Sequence, residues 1–387
     1  GVPPLALARI DAVWSAATGL AQIDLITAAA FQASNLLLSL RAGEPYRVAR
    51  ALALEAMSCA LEGTVRQRRA AALLTAAREI AVRIQEPHAL GMVALADGVA
   101  AMASGRWEDG AHALAEAETT FRTRCVGVIW ELATLHHFRV WSLAFRGAYG
   151  EMMTYGRDAL NEARGRNDLY TPATIGMFVE PIERLLADDP AGSRSALHDV
   201  ARHWTHQGLS LQRVMQYMQD TFIDLYAGDG EGAWHRLNEW WPELRASHLL
   251  RLEQMRIQML YLRAACAIQA SLTTGDGPLL RVAEKDARRL EGERAPWAAP
   301  EAQIILAALA ARRGDRTVAA NLLGQAAARC EALDRGQFSR PARWQQGRLM
   351  GGDEGRRLTA AAESEMVEQG IRNPARWTAL HLPGFAV

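Results

Sequence analysis

The stretch Ser104-Gly105-Arg106-Trp107-Glu108-Asp109-Gly110 decides how this chain is read. Glycine, aspartate and arginine beside an aromatic mark a short turn between two helices. Around it Gly98, Gly105, Trp107, Leu114 and Ala117 follow the order of the tetratricopeptide pattern. There, small residues let paired helices approach and larger ones fill the groove between them. Gly314, Ala319, Leu323 and Ala326 repeat that order further on. Similar turns recur at Arg146-Gly147-Ala148-Tyr149-Gly150, Ala187-Asp188-Asp189-Pro190, Ala227-Gly228-Asp229-Gly230, Thr274-Gly275-Asp276-Gly277 and Arg313-Gly314-Asp315-Arg316. A period near 40 that holds two helices is the signature of an α-solenoid, with longer helices than the usual repeat of about 34 residues.

Between the turns, apolar residues return every three or four positions, as in Val128–Phe145, Leu211–Tyr226 and Leu252–Ala270. These segments are rich in Ala, Leu, Arg and Glu, all good helix formers, and alternating strand patterns are absent. The fold is read as all-α, a single superhelix of antiparallel helix hairpins over 1–387. Residues 1–90 are expected to form irregular N-terminal helices, because the turn Ala42-Gly43-Glu44-Pro45-Tyr46 stands well over one period before Gly105. Regular hairpins should fill 91–335, and capping helices 336–387. Each hairpin of such an array touches only its neighbours, so the terminal hairpins should be the least protected.

The 387 residues carry 43 basic and 43 acidic side chains, which disfavours nucleic acid or a membrane surface as the main partner. No apolar run reaches the length of about 18 residues that a membrane span needs, and no signal peptide is seen. Only one basic residue is a lysine, Lys285, and no glycine-rich turn precedes it. The phosphate-binding loop and the kinase strand both need a lysine in such a setting, so this chain lacks both machineries. Cys59, Cys125, Cys266 and Cys330 are far apart, which argues against zinc or a redox pair and fits a reducing cytoplasm. The start Gly1-Val2-Pro3-Pro4, without Met, suggests a piece of something longer or a processed start.

Several stretches resemble one family. Leu36–Glu55, Cys125–Leu132, Asp168-Leu169-Tyr170, Leu225–Gly230 and the ending Gln369-Gly370-Ile371-Arg372-Asn373-Pro374-Ala375-Arg376-Trp377 with Leu382-Pro383-Gly384-Phe385 look like the C-terminal helical array of large bacterial signalling proteins. In these a serine/threonine kinase domain precedes a predicted ATPase of the signal-transducing type and a tetratricopeptide-like region. The family often has Met where Trp377 stands. The resemblance implies a regulatory array with no catalytic signature of its own.

His198, His203 and His206 beside Asp199 form the densest histidine group, but no Glu or Cys completes a metal site. His136 and His137 are adjacent and point in different directions. Gly228-Asp229-Gly230-Glu231-Gly232 lacks a lysine and carries two acids, so it reads as a helix–helix turn. Trp240-Trp241 before Pro242 reads as a plug at a junction between repeats. No catalytic residue, metal or cofactor is assigned. Aromatic and Met side chains on the first helix of consecutive hairpins suit an adaptable groove: His137 and Trp141, then Phe178, then Met215, Met218, Phe222 and Tyr226. Arg139, Glu180 and Arg213 beside them would orient a ligand. The same positions would serve equally as core between helices. The functional expectation is a non-catalytic sensor or interaction array in the cytoplasm, for a protein, peptide or small effector or for other domains of the parent polypeptide. A helical-repeat enzyme and a self-assembly scaffold are the alternatives.

Overall fold

The computed structural model describes residues 1–21, 24–166, 168, 170–202, 209–274 and 277–385. Every regular element among them is helical, and the helices pack in consecutive pairs, as the repeat reading expects. They gather into two compact units. Unit 1 comprises Gly1–Ser142, His206–Gln212 and Ser247–Gln254; unit 2 comprises Leu143–Thr205, Arg213–Ala246 and Met255–Val387.

The first helices are α1 (Pro4–Leu20), α2 (Leu25–Ala42), α3 (Pro45–Leu61), α4 (Gln67–Ile84), α5 (Pro87–Ala103), α6 (Trp107–Arg124) and α7 (Ile129–Arg146). The turn at Gly43 shows why they start and stop where they do. Gly43 takes the left-handed conformation that ends α2, with φ 67°. Glu44 then accepts hydrogen bonds from the Tyr46 and Arg47 amides, and Pro45 opens α3. Packing in unit 1 runs from α1 to α2, from α3 to α4 and α5, and from α5 to α6. On α6 the buried stripe is Trp107, Gly110, Leu114, Ala117 and Phe121, at helical spacing. It meets the glycines of α5. A Cβ on Gly98 would lie 2.7 Å from Leu114 Cγ, and one on Gly91 would lie 2.5 Å from Phe121 Cε1. Each such Leu or Phe contributes about 1.5–3 kcal/mol by burial, and the missing methyl groups are what lets them reach it.

The remaining helices are α8 (Tyr149–Gly165), α9 (Met177–Leu186), α10 (Pro190–Ala201), α11 (Leu211–Ala227), α12 (Gly230–Ala246), α13 (Glu253–Thr274), α14 (Gly277–Glu291), α15 (Ala298–Arg312), α16 (Arg316–Ala332), α17 (Gly336–Met350), α18 (Gly352–Glu368) and α19 (Pro374–His381). The repeat seen in the sequence is the repeat of one backbone conformation. Gly105, Gly147, Asp188, Gly228 and Gly314 all have φ between 57° and 86°. Gly275 and Asp276 lie outside the described residues. The stretch Gly228–Gly232 is the helix–helix turn its sequence suggests, with Asp229 capping α12 through the Gly232 amide.

Unit 2 departs from an array with neighbour contacts alone. The Arg146 side chain pairs with Asp334, and Arg340 Nη1 donates to the Gly147 carbonyl at 2.9 Å. Buried charges are matched in pairs: Asp286 by Arg263, and Asp220 and Asp224 by Arg194. Trp240 stacks on Tyr217 at 5.4 Å, and the Arg263 guanidinium covers the Trp241 ring. Cys59, Cys266 and Cys330 are buried free thiols, and Cys125 is half-buried. No helix among the described residues is long and apolar enough to cross a membrane.

Candidate functional site

The side chains nominated from sequence fall in both units. In unit 1, His137 is buried and its ring lies 4.5 Å from that of half-buried Trp141. Arg139 pairs with Glu118 at 2.6 Å. In unit 2, Met215, Met218 and Tyr226 are buried, whereas Phe178 and Phe222 are half-buried. Arg164 donates to Glu180 at 2.7 Å; burial nevertheless leaves that carboxyl above its usual range. Arg213 bonds Gln216 and sits over the Tyr217 ring. His198 lies 3.2 Å from Asp220, while His203 and His206 lie outside the described residues, as does Leu169. No group of metal-ligating side chains is assembled among the described residues.

Of these residues, Tyr226 leads to the most developed site. Its hydroxyl donates to Asp188 Oδ1 at 2.8 Å. Asp188 also accepts from Asn373 Nδ2 at 3.0 Å and from Arg376 Nη1 at 3.1 Å. Burial pushes the Asp188 carboxyl up, but the bonds from Asn373, Tyr226 and Arg376 outweigh it and hold it below its ordinary value. Asn373 and Arg376 belong to the C-terminal segment. That segment is tied to the rest of unit 2 at several points along its length. Asn373 Oδ1 caps α19 through the Arg376 amide, Pro374 opens the helix, and the Arg372 amide donates to the Leu186 carbonyl. Trp377 is the anchor, 2% exposed. Its ring meets Tyr149 edge-on at 4.9 Å and Tyr226 at 6.4 Å. Further along, the Tyr261 hydroxyl donates to the His381 carbonyl, and the Gly384 amide donates to Gln269 Oε1 at 3.1 Å. Gly384 has φ 85°, and a Cβ there would run into Ile268. Only glycine fits.

Beneath the segment lies a buried polar floor. Arg335 pairs with Glu301 at 2.5 Å, both almost fully buried, and its guanidinium covers the rings of Phe145 and Phe338. Burial raises the Glu301 carboxyl to about 7 against the pull of Arg335. Burial, with Arg335 adding to it, pushes His381 down to about 3, so its imidazole is neutral. Its Nε2 is buried with no hydrogen-bond partner among the described residues. Cys330, also buried, is pushed up to about 12 and stays a thiol.

Unit 1 carries a polar ladder of its own across α1, α3, α5 and α7. Asp11 accepts from Arg47 Nε at 3.0 Å and Arg50 Nη2 at 2.8 Å. The Arg50 guanidinium covers Trp14 and Tyr46, the Tyr46 hydroxyl lies 3.2 Å from His88 Nδ1, and His88 Nε2 lies 2.9 Å from Glu131. Burial favours the protonated Asp11 carboxyl, yet Arg47 and Arg50 hold it below its ordinary value. The ladder sets His88 between a phenol and a carboxylate and ties successive hairpins together.

In the sequence Asp188 stands in a turn, and the Asn-Pro-x-Arg-Trp ending carries only a family resemblance. The positive φ that such a turn needs on a non-glycine residue was the available signal for Asp188. Nothing local marked Tyr149, Tyr261, Glu301 or Arg335. No family model matches this chain, and neither does any curated protein or solved structure.

Proposed function

We propose that the chain is a non-catalytic interaction array that binds a protein or peptide, the regulatory region of a cytoplasmic kinase–ATPase signalling protein. The observation that carries the binding role is the seat of residues 371–385 in unit 2. An aromatic anchor enters between two tyrosines, a short capped helix presents an arginine to a carboxylate, and glycine closes the far end. Those are the features of peptide recognition by a helical groove. A ligand with a similar aromatic–basic signature would compete with the built-in segment for the same seat. The signalling context rests on the family resemblance of the repeat stretches and on the missing phosphate-binding lysine.

The test uses a labelled synthetic peptide of residues 370–385. Tethering gives the built-in segment an effective concentration in the mM range, so the parent chain should ignore micromolar peptide. The full chain carrying Trp377→Ala should bind it saturably, and adding Asp188→Asn should weaken that binding about tenfold or more. A Trp377→Ala chain that keeps its helicity yet takes up no peptide overturns the reading.

A further inference from the structure

The end of the C-terminal segment is enclosed. Residues 380–385 are all buried, and so is Trp377. Tyr149 of α8 and Tyr226 of α11 flank Trp377, and Tyr261 of α13 and Phe338 of α17 meet His381. A segment held in this way leaves only when two of these walls part. Paired helices of unit 2 resist parting through apolar faces: α15 and α16 pack together with Ile304, Ala308, Leu323 and Ala327 buried.

One joint is built differently. The turn between α7 and α8 meets the turn between α16 and α17, which is far away in the chain, and the tie is polar. Arg146 pairs with exposed Asp334, and Arg340 Nη1 donates to the Gly147 carbonyl at 2.9 Å. Glu365 of α18 lies 3.5 Å from Arg340 Nε. The backbones touch, since a Cβ on Gly147 would lie 2.7 Å from the Gly336 carbonyl carbon and one on Gly336 would run into the Arg146 carbonyl. Asp334 is held at φ 51°, a left-handed conformation that costs a non-glycine residue energy. Two walls of the seat start at this joint: Tyr149 stands just after Gly147, and Phe338 just after Gly336.

We infer that this joint is the door of the seat. It opens to let residues 371–385 out or a competing peptide in, and it closes over whichever segment is bound. The inference rests on the reading of the seat as a peptide site. Water screens an exposed ion pair and replaces the partners of an arginine, so this tie is weak, whereas parting a helix pair exposes Leu and Ile faces. With the joint shut, Tyr149 meets Trp377 and Phe338 meets His381, so closing and binding favour one another.

The test uses the full chain. Asp334→Asn with Arg340→Met removes the tie, while Asn tolerates the left-handed conformation and Met keeps an apolar stem. Hydrogen exchange at residues 374–385 should quicken about tenfold or more, with α15 and α16 unchanged. Gly336→Ala, a wedge against the Arg146 carbonyl, should have the same effect. Salt should quicken exchange at 374–385 in the parent chain and not in the double variant, because it screens Arg146 from Asp334. With Trp377→Ala added, the double variant should take up and release the labelled 370–385 peptide faster than Trp377→Ala alone, by a similar factor in each direction. Unchanged exchange at 374–385 overturns the inference. Faster exchange throughout unit 2 overturns it as well, since the joint would then hold the whole unit together. Faster exchange at 374–385 alone, in a chain whose Trp377→Ala form takes up no peptide, supports a door for the built-in segment and overturns the peptide site instead.

Discussion

His381 shows what burial does to one side chain. Its imidazole is held neutral, with a pKa near 3, by desolvation and by the charge of Arg335 behind it. The unfolded chain therefore takes up a proton first as pH falls below about 6.5, and stability declines by up to about 1.4 kcal/mol per unit at this residue. The sign is fixed: stability from His381 is full above its unfolded value and lost toward pH 3. Asp188 is held low rather than high, so its contribution persists until the pH drops below the ordinary carboxylate range. Glu301, its carboxyl raised to about 7, acts in the opposite sense between pH 7.5 and 5, so the effect of His381 is read as a difference. Urea midpoints at pH 7.5, 6 and 5 should rise for His381→Phe, which also fits beside Phe338 and Trp377, relative to the parent chain as the pH falls. Midpoints with the same pH dependence in the two chains would mean that His381 is not the titrating group.

At the scale of the element, close helix contact depends on glycine, and the cost of losing one depends on what faces it. A Cβ on Gly98 meets Cγ and Cδ2 of the Leu114 side chain at 2.7 and 2.8 Å, with the nearest backbone atom, the Gly110 carbonyl oxygen, at 3.2 Å. A Cβ on Gly347 of α17 meets the Gly355 carbonyl at 2.5 Å and the Thr359 amide at 2.8 Å, both backbone atoms of α18. Overpacking of this kind costs about 1–3 kcal/mol. Gly347→Ala should sit near the top of that range and Gly98→Ala near the bottom, as read from thermal midpoints. The reverse order would show that α17 and α18 separate more easily than α5 and α6 repack.

Across the whole molecule, unit 2 is closed by contacts that a linear array does not have. Asp188 and Arg376, Tyr149 and Trp377, and Tyr261 and His381 join residues far apart in the chain. The C-terminal segment should therefore be among the well-protected parts of unit 2, not the first to open. Hydrogen exchange on Trp377→Ala should lose protection in α8, α11, α13 and α19 together, while α3 to α6 of unit 1 stay as they are. Loss confined to α19 would reduce the segment to a passive cap.

The helices and their turns were legible in the sequence because they are decided locally. Gly105, Gly147, Gly228 and Gly314 announce left-handed turns, Glu44-Pro45 and Asp189-Pro190 announce helix starts, and Trp107, Leu114 and Phe121 announce a buried stripe. The approach of α5 to α6 was legible too, since Gly98 and Leu114 stand in a known order. Which residues form the site was not. Aromatic and Met side chains at helical spacing look alike in a groove and in a core, and only burial distinguishes Met218 from Phe178. Asp188 meets Asn373 and Arg376, and Glu301 meets Arg335, through the tertiary course of the chain. The all-helical repeat follows from the order of residues alone, because hydrogen bonds and turns within a few residues suffice for it. The seating of residues 371–385 in unit 2 came from the folded chain alone, because it depends on a carboxylate and two tyrosines brought together from α8, the α9–α10 turn and α11.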